Sequence, residues 1–98
     1  MKINMNAPIL ALDGNPVAGE GGPVVLRTIV QGALMATLTG DEKIPGDHKA
    51  KMFGLAIDAN KATVDWGVED ITLVKQRVGE AASPLAVGRA YELLDPKG

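Results

Sequence analysis

The sequence predicts an α+β fold, mostly helical, in which a small N-terminal β-hairpin is followed by about four helices. Three observations carry that reading. Leu26, Ile29, Val30, Ala33, Leu34 and Leu38 recur at the spacing of a single helix face. Ser83-Pro84 reads as an N-cap followed by a first-turn proline. Asp13-Gly14-Asn15-Pro16 is a tight-turn tetrapeptide behind a short apolar run. With 98 residues, 46% of them hydrophobic, the chain is sized for one domain with a packed aliphatic interior. The hairpin covers about 7–25 and the helical part about 26–95.

In chain order, Ile9–Leu12 reads as a strand, Asp13–Pro16 as its turn and Val17 as the start of the return strand. Gly19-Glu20-Gly21-Gly22-Pro23 makes a flexible surface loop, and Val24-Val25 an extended lead-in. The first helix runs from Leu26 to Leu38 with Gly40 as its C-terminal cap. Gly32 inside it costs about 1 kcal/mol relative to alanine, which suggests close approach of a neighbouring helix. Asp41–Gly46 is a polar loop broken by Pro45 and Gly46. Asp47 is placed to cap a second helix from His48 to about Ala59, with Met52, Phe53, Ala56, Ile57 and Ala59 on its buried side. Thr63–Trp66 is a third small strand or an extended connection. Gly67 or a neighbour caps a third helix whose first turn holds Glu69 and Asp70, favourable at the positive end of the dipole. Its stripe is Ile71, Val74, Lys75 and Val78, widened by Val68 and Leu73, and Gly79 with the following alanines ends it. A last helix from Pro84 to Leu94 has Leu85, Val87, Gly88, Ala90, Tyr91 and Leu94 on its apolar side.

Charge and composition exclude several classes. The net charge is −2, and the cations are scattered. Lys49/Lys51 and Lys75/Arg77 are each two residues apart, which points them to different sides of a helix. Phe53, Trp66 and Tyr91 are the only aromatic residues, too few for a base-stacking platform. Nucleic acid is therefore not an expected partner. The absence of cysteine excludes disulfides, thiolate metal sites and cysteine nucleophiles. The apolar run in Met1–Leu12 is short and broken by Asn4, Asn6 and Pro8, and no stretch has the length of a membrane span. A cytoplasmic location is expected, with no membrane partner.

No constellation in the sequence announces chemistry. His48 is the only histidine, and an acid/base or metal site can be drawn for it with Asp41 and Asp47. An exposed residue at a helix start is the simpler account. Asp41, Glu42 and Asp47 lack the alternation and the twelfth-position glutamate of an EF-hand. Gly19-Glu20-Gly21-Gly22 lacks the Lys-Ser or Lys-Thr of a phosphate loop and leads into Pro23. The expectation is a non-enzyme with no catalytic residue, no cofactor and no metal. Trp66 either plugs a junction between helices or anchors an interface, where tryptophan is enriched among hot spots. Gly54, Gly79 and Gly88 suit close helix contacts, within the domain or between copies. Trp66, Gly79, Gly88 and Tyr91 are the interface candidates.

Several segments together resemble a group of small proteins encoded in tailed-phage and prophage genomes. They are Leu12-Asp13-Gly14 behind the first strand, Leu26-Arg27 opening a helix through Ala33-Leu34, and Lys51 to Ile57 as an amphipathic helix. Glu69-Asp70-Ile71 with Leu73-Val74-Lys75 follow, then Pro84-Leu85-Ala86-Val87-Gly88 running into Tyr91-Glu92-Leu93-Leu94. These are packing and capping patterns covering most of the chain, and they bring no catalytic residues with them. Where the related proteins tend to have Ser or Thr two residues before the Glu-Asp pair, this chain has Gly67, so its cap should be weaker. The resemblance implies a phage or prophage accessory protein that binds protein: itself as a homo-oligomer, a virion or tail component, or a host factor. Its place would be the host cytoplasm or the virion. The alternative is a small regulatory protein contacting nucleic acid, supported by the helix-break-helix pattern around Ser83-Pro84.

Overall fold

A computed structural model describes residues 2–19, 22–38 and 40–94. The first of these segments alternates: Ile3, Met5, Ala7 and Ile9 are buried, while Lys2, Asn4, Asn6 and Pro8 are exposed. That period of two belongs to extended chain with one face on a core. β1 (Lys2–Asn4) pairs antiparallel with β4 (Thr63–Asp65), placing Ile3 opposite Val64. Thr63–Asp65 is thus a strand, and its partner is a segment in which the sequence suggests none.

The hairpin region is held by bridges more than by strands. Pro8 bridges Val25 and Leu10 bridges Pro16. Ile9 sits between two neighbours, its N–H donating to Val24 O at 2.9 Å and its carbonyl accepting from Val17 N at 2.9 Å. The expected strand Ile9–Leu12 is therefore not continuous. The turn is present: Gly14 adopts φ 87°, and the Asn15 N–H donates to Asp13 Oδ1 at 3.0 Å. Part of the expected glycine loop pairs, β2 (Ala18–Gly19) against β3 (Gly22–Pro23). Glu20 and Gly21 lie outside the described residues.

Four α-helices follow: α1 (Leu26–Met35), α2 (Gly46–Asp58), α3 (Val68–Ala81) and α4 (Pro84–Leu94). α1 is the hub, packing against the other three. Leu26, Val30 and Leu34 on α1 are fully buried with Met5, Val74, Val78 and Leu94. α1 stops short of the expected Leu38, because the chain turns to meet a buried cation. Ala36 is extended, and its carbonyl accepts from Arg77 Nη2 at 2.7 Å. The Arg77 guanidinium, 4% exposed, also donates to both Asp41 oxygens, at 2.8 and 3.2 Å. Asp41 Oδ2 accepts in turn from the Leu38 N–H at 2.7 Å. Gly40, at φ 92°, opens the short 3₁₀ turn Asp41–Lys43 instead of capping α1. α2 begins at Gly46 behind Pro45, so Asp47 lies in its first turn and does not cap it. α3 continues through Gly79 and ends on the expected alanines, at Ala81 with Ala82 as its cap.

Helix ends are finished by side chains from elsewhere in the chain. Arg27 and Gln31, one turn apart on α1, reach the C-terminal end of α2. Arg27 donates to Ala59 O at 2.6 Å and Lys61 O at 3.1 Å, and Gln31 to Ala56 O at 2.8 Å. A cation there also opposes the negative end of the α2 dipole. α3 starts on Gly67 with no side-chain cap. α4 has Ser83 Oγ accepting from the Ala86 N–H at 3.4 Å, a long contact. No helix among the described residues is long and apolar enough to cross a membrane.

Arg77→Ala is expected to lower the unfolding free energy by about 3 kcal/mol, the range for removing one partner of a buried pair. Arg77→Lys should restore only part of it, because a lysine lacks the planar fork; urea titration measures both. The Arg77 hydrogen bonds, and then the Leu38 N–H, hold the Asp41 carboxyl below the ordinary carboxylate range. A lowered folded-state value means the unfolded chain binds more protons, so this contribution is complete above the ordinary range and lost as pH falls through and below it. The melting temperature of Asp41→Asn should accordingly vary less with pH on the acid side than that of the parent.

Candidate functional site

The predicted interface residues separate into three places. Trp66, 3% exposed, is part of the hydrophobic core behind β4. It plugs the interior and presents no surface for an interface, which corrects its standing as an interface candidate. Gly79 and Tyr91 meet each other. The Tyr91 hydroxyl donates to Lys75 O on α3 at 2.9 Å, and Lys75 Nζ stands 4.9 Å from the Tyr91 ring centroid. A Cβ built on Gly79 would stand 2.6 Å from Tyr91 Oη. The tyrosine reaches a main-chain carbonyl of α3 because residue 79, one turn further on, has no side chain. That close approach is between α3 and α4 of the same chain. Gly88 is exposed and apart from that contact, in a shallow cleft of about 250 Å³ with Leu12, Pro84, Leu85, Arg89 and Glu92. Gly32 too has open space above it, so it makes no close helix contact.

The cations around the α3–α4 break are turned inward. Arg77 is buried against Asp41 and Ala36 O. Lys75 lies over Tyr91, and Arg89 donates to Leu10 O and Ala11 O at 2.9 Å each, tying α4 to the hairpin. His48 is exposed in the first turn of α2 and lines a cleft of about 250 Å³ with Asp41, Gln76, Arg77 and Glu80. Of the two carboxylates drawn with it, Asp41 is committed to Arg77.

The more telling surface is one the sequence reading placed inside. Phe53 is 58% exposed and Ile57 52% exposed, although both were expected on the buried side of α2. Met52, Leu55, Ala56 and Ala59 form the face that packs inward. Leu55 had no place in the expected stripe, and including it turns the helix so that Phe53 and Ile57 face out. Gly46, Ala50 and Gly54 share that outer side and are exposed, with no atom near a Cβ built on either glycine. α2 is thus apolar on two faces and packs chiefly on α1 with one of them. Phe53 and Ile57, four residues apart, form adjacent projections on the other. Leu12, 91% exposed, and Val68, 81% exposed, stand apart from α2 on the hairpin turn and at the start of α3. Comparison with protein-family models, with curated proteins and with solved structures finds no match to this chain.

Gly88→Ala places a methyl group in open space within a helix and is expected to raise stability by about 0.5–1 kcal/mol. Gly79→Ala should be destabilising, since Tyr91 must give up its bond to Lys75. In a Tyr91→Phe background the penalty should shrink or reverse. A double-mutant cycle by chemical denaturation reads that coupling.

Proposed function

We propose that this chain is a non-enzymatic accessory protein that acts by binding protein through the outer face of α2. The observation that carries the reading is the pair Phe53 and Ile57, both more than half exposed on a helix whose opposite face already fills the core. Large apolar side chains held on a rigid helix lose little conformational freedom on binding, and aromatic anchors of this kind dominate interface energies. Burying the exposed part of both would contribute about 2–3 kcal/mol. The resemblance to small tailed-phage and prophage proteins supports a setting in virion or tail assembly, or in engagement of a host factor. The surface itself supports an apolar helix-face contact and not an electrostatic one.

The test is a photoreactive phenylalanine analogue at position 53 in cells that produce the protein in its natural setting, with the same analogue at the exposed Glu80 of α3 as control. Adducts of defined mass at 53 that disappear in Ile57→Ser are expected. Labelling at 53 no greater than at 80 would count against the reading. Ile57→Ser should leave the melting temperature nearly unchanged, because the side chain it removes is on the outer face of α2.

A further inference from the structure

Asp13-Gly14, at the tip of the hairpin, is the only Asp-Gly pair in the chain, and there is no Asn-Gly pair. A glycine leaves its own amide nitrogen unhindered, so this is where a side-chain carboxyl is most open to attack by the backbone. In that reaction the Gly14 nitrogen gives up its proton and bonds to Asp13 Cγ. A carboxyl oxygen leaves as water, which closes a five-membered succinimide. Addition of water to either ring carbonyl opens it again, restoring aspartate or giving isoaspartate, whose main chain runs through the side-chain carbon. The step needs no oxidant, only a free amide N–H and a carboxyl group able to swing onto it.

The folded hairpin withholds both. The Gly14 N–H donates to Ala11 O at 3.0 Å. The Asp13 carboxylate accepts from the Asn15 N–H at 3.0 Å and from Asn15 Nδ2 at 3.2 Å. These bonds, the backbone one foremost, also hold the carboxyl below the ordinary carboxylate range, which reduces the share of neutral acid from which water can leave. The tip is fixed in turn from α4. Ala11 O, which holds the Gly14 N–H, also accepts from Arg89 Nη2 at 2.9 Å, and Arg89 Nε donates to Leu10 O at 2.9 Å. Asp13 and Gly14 are both exposed, so protection comes from these bonds and the backbone geometry they fix, not from burial.

We propose that Asp13 is a site of spontaneous isoaspartate formation, suppressed while Arg89 holds the hairpin closed and released when the tip comes off α4. Isoaspartate adds one carbon to the main chain between Ala11 and Asn15, whose 2.8 Å bond from Ala11 N–H to Asn15 O closes the turn. A modified tip therefore cannot re-form the same turn, and the modification marks chains in which it has opened.

Peptide mapping by mass spectrometry after incubation at neutral pH, with enzymatic methylation of isoaspartate as a second readout, tests this. The folded parent should accumulate isoaspartate at Asp13 at least about ten-fold more slowly than the same chain in urea, because reaction waits on local opening. Arg89→Gln should raise the folded-state rate about two- to ten-fold, the factor carried by one hydrogen bond. Asn15→Ala should raise it by freeing the carboxylate, and Asp13→Glu, which cannot close the five-membered ring, should remove the signal. Arg27→Gln loses comparable bonds at the end of α2 and should leave the Asp13 rate unchanged, with circular dichroism confirming that each variant is folded. Equal rates in the folded and unfolded parent, or an Arg89→Gln rate no higher than that of Arg27→Gln, would overturn the gating. Isoaspartate forming chiefly at another residue of the unfolded chain would overturn Asp13 as the site.

Discussion

Three arginines end the structural elements that the local sequence leaves open. Arg27 on α1 takes the carbonyls at the close of α2, and Arg77 on α3 takes the carbonyl just past α1. Arg89 on α4 takes two carbonyls of the hairpin. The bonds span between 32 and 79 residues of sequence. Local capping is thin by comparison, since α1, α2 and α3 begin on Val25, Pro45 and Gly67 with no side-chain cap. A guanidinium suits this duty because its donors form a fixed planar fork that addresses two acceptors at once. Each arginine also fixes the relative position of two elements. In a cysteine-free chain, these bonds join distant segments alongside the β1–β4 pairing.

The core follows from this arrangement. With α1 in the middle, its stripe of Leu26, Val30, Ala33 and Leu34 is buried among α2, α3 and α4, and the remaining helices need only one apolar side each. β1 adds Ile3, the residue after it adds Met5, and the pairing of Ile3 with Val64 on β4 pins the connection between α2 and α3. Trp66, next along the chain, is the one large aromatic filling that junction. The α3–α4 contact is set separately, by a tyrosine hydroxyl entering the space that Gly79 leaves.

Much of this fold is legible in residue spacing. The α1 stripe, the Ser83-Pro84 helix start and the Asp13-Gly14 turn each rest on local rules that the tertiary structure leaves intact. What escaped reading depends on distant partners. Asn4 and Asn6 look like breaks in an apolar run, yet they are the outward positions of the alternation Ile3, Met5, Ala7, Ile9. A period-two count would have found that strand. Nothing near Leu38 in sequence tells that Arg77, far along the chain, claims the carbonyl of Ala36 and ends α1 early. Nor does Gly40 look different as a helix cap than as the left-handed start of a 3₁₀ turn. Trp66 in the core and the Gly79–Tyr91 contact within the chain were hidden for a related reason. Tryptophan, glycine and tyrosine serve cores and interfaces alike, and only the three-dimensional neighbours distinguish the two.

The α2 face was hidden by its own composition. A helix with apolar residues around most of its circumference gives periodicity no single direction, and Phe53 and Ile57 fit a stripe with Met52 and Ala56 as well as an outer ridge. The position of α2 decides it. Packed chiefly on α1 at the margin of the domain, it has room for one buried side, and Leu55 fixes which side that is. A marginal helix gains nothing within its own chain from a phenylalanine and an isoleucine in water, and such a pair raises the risk of indiscriminate association.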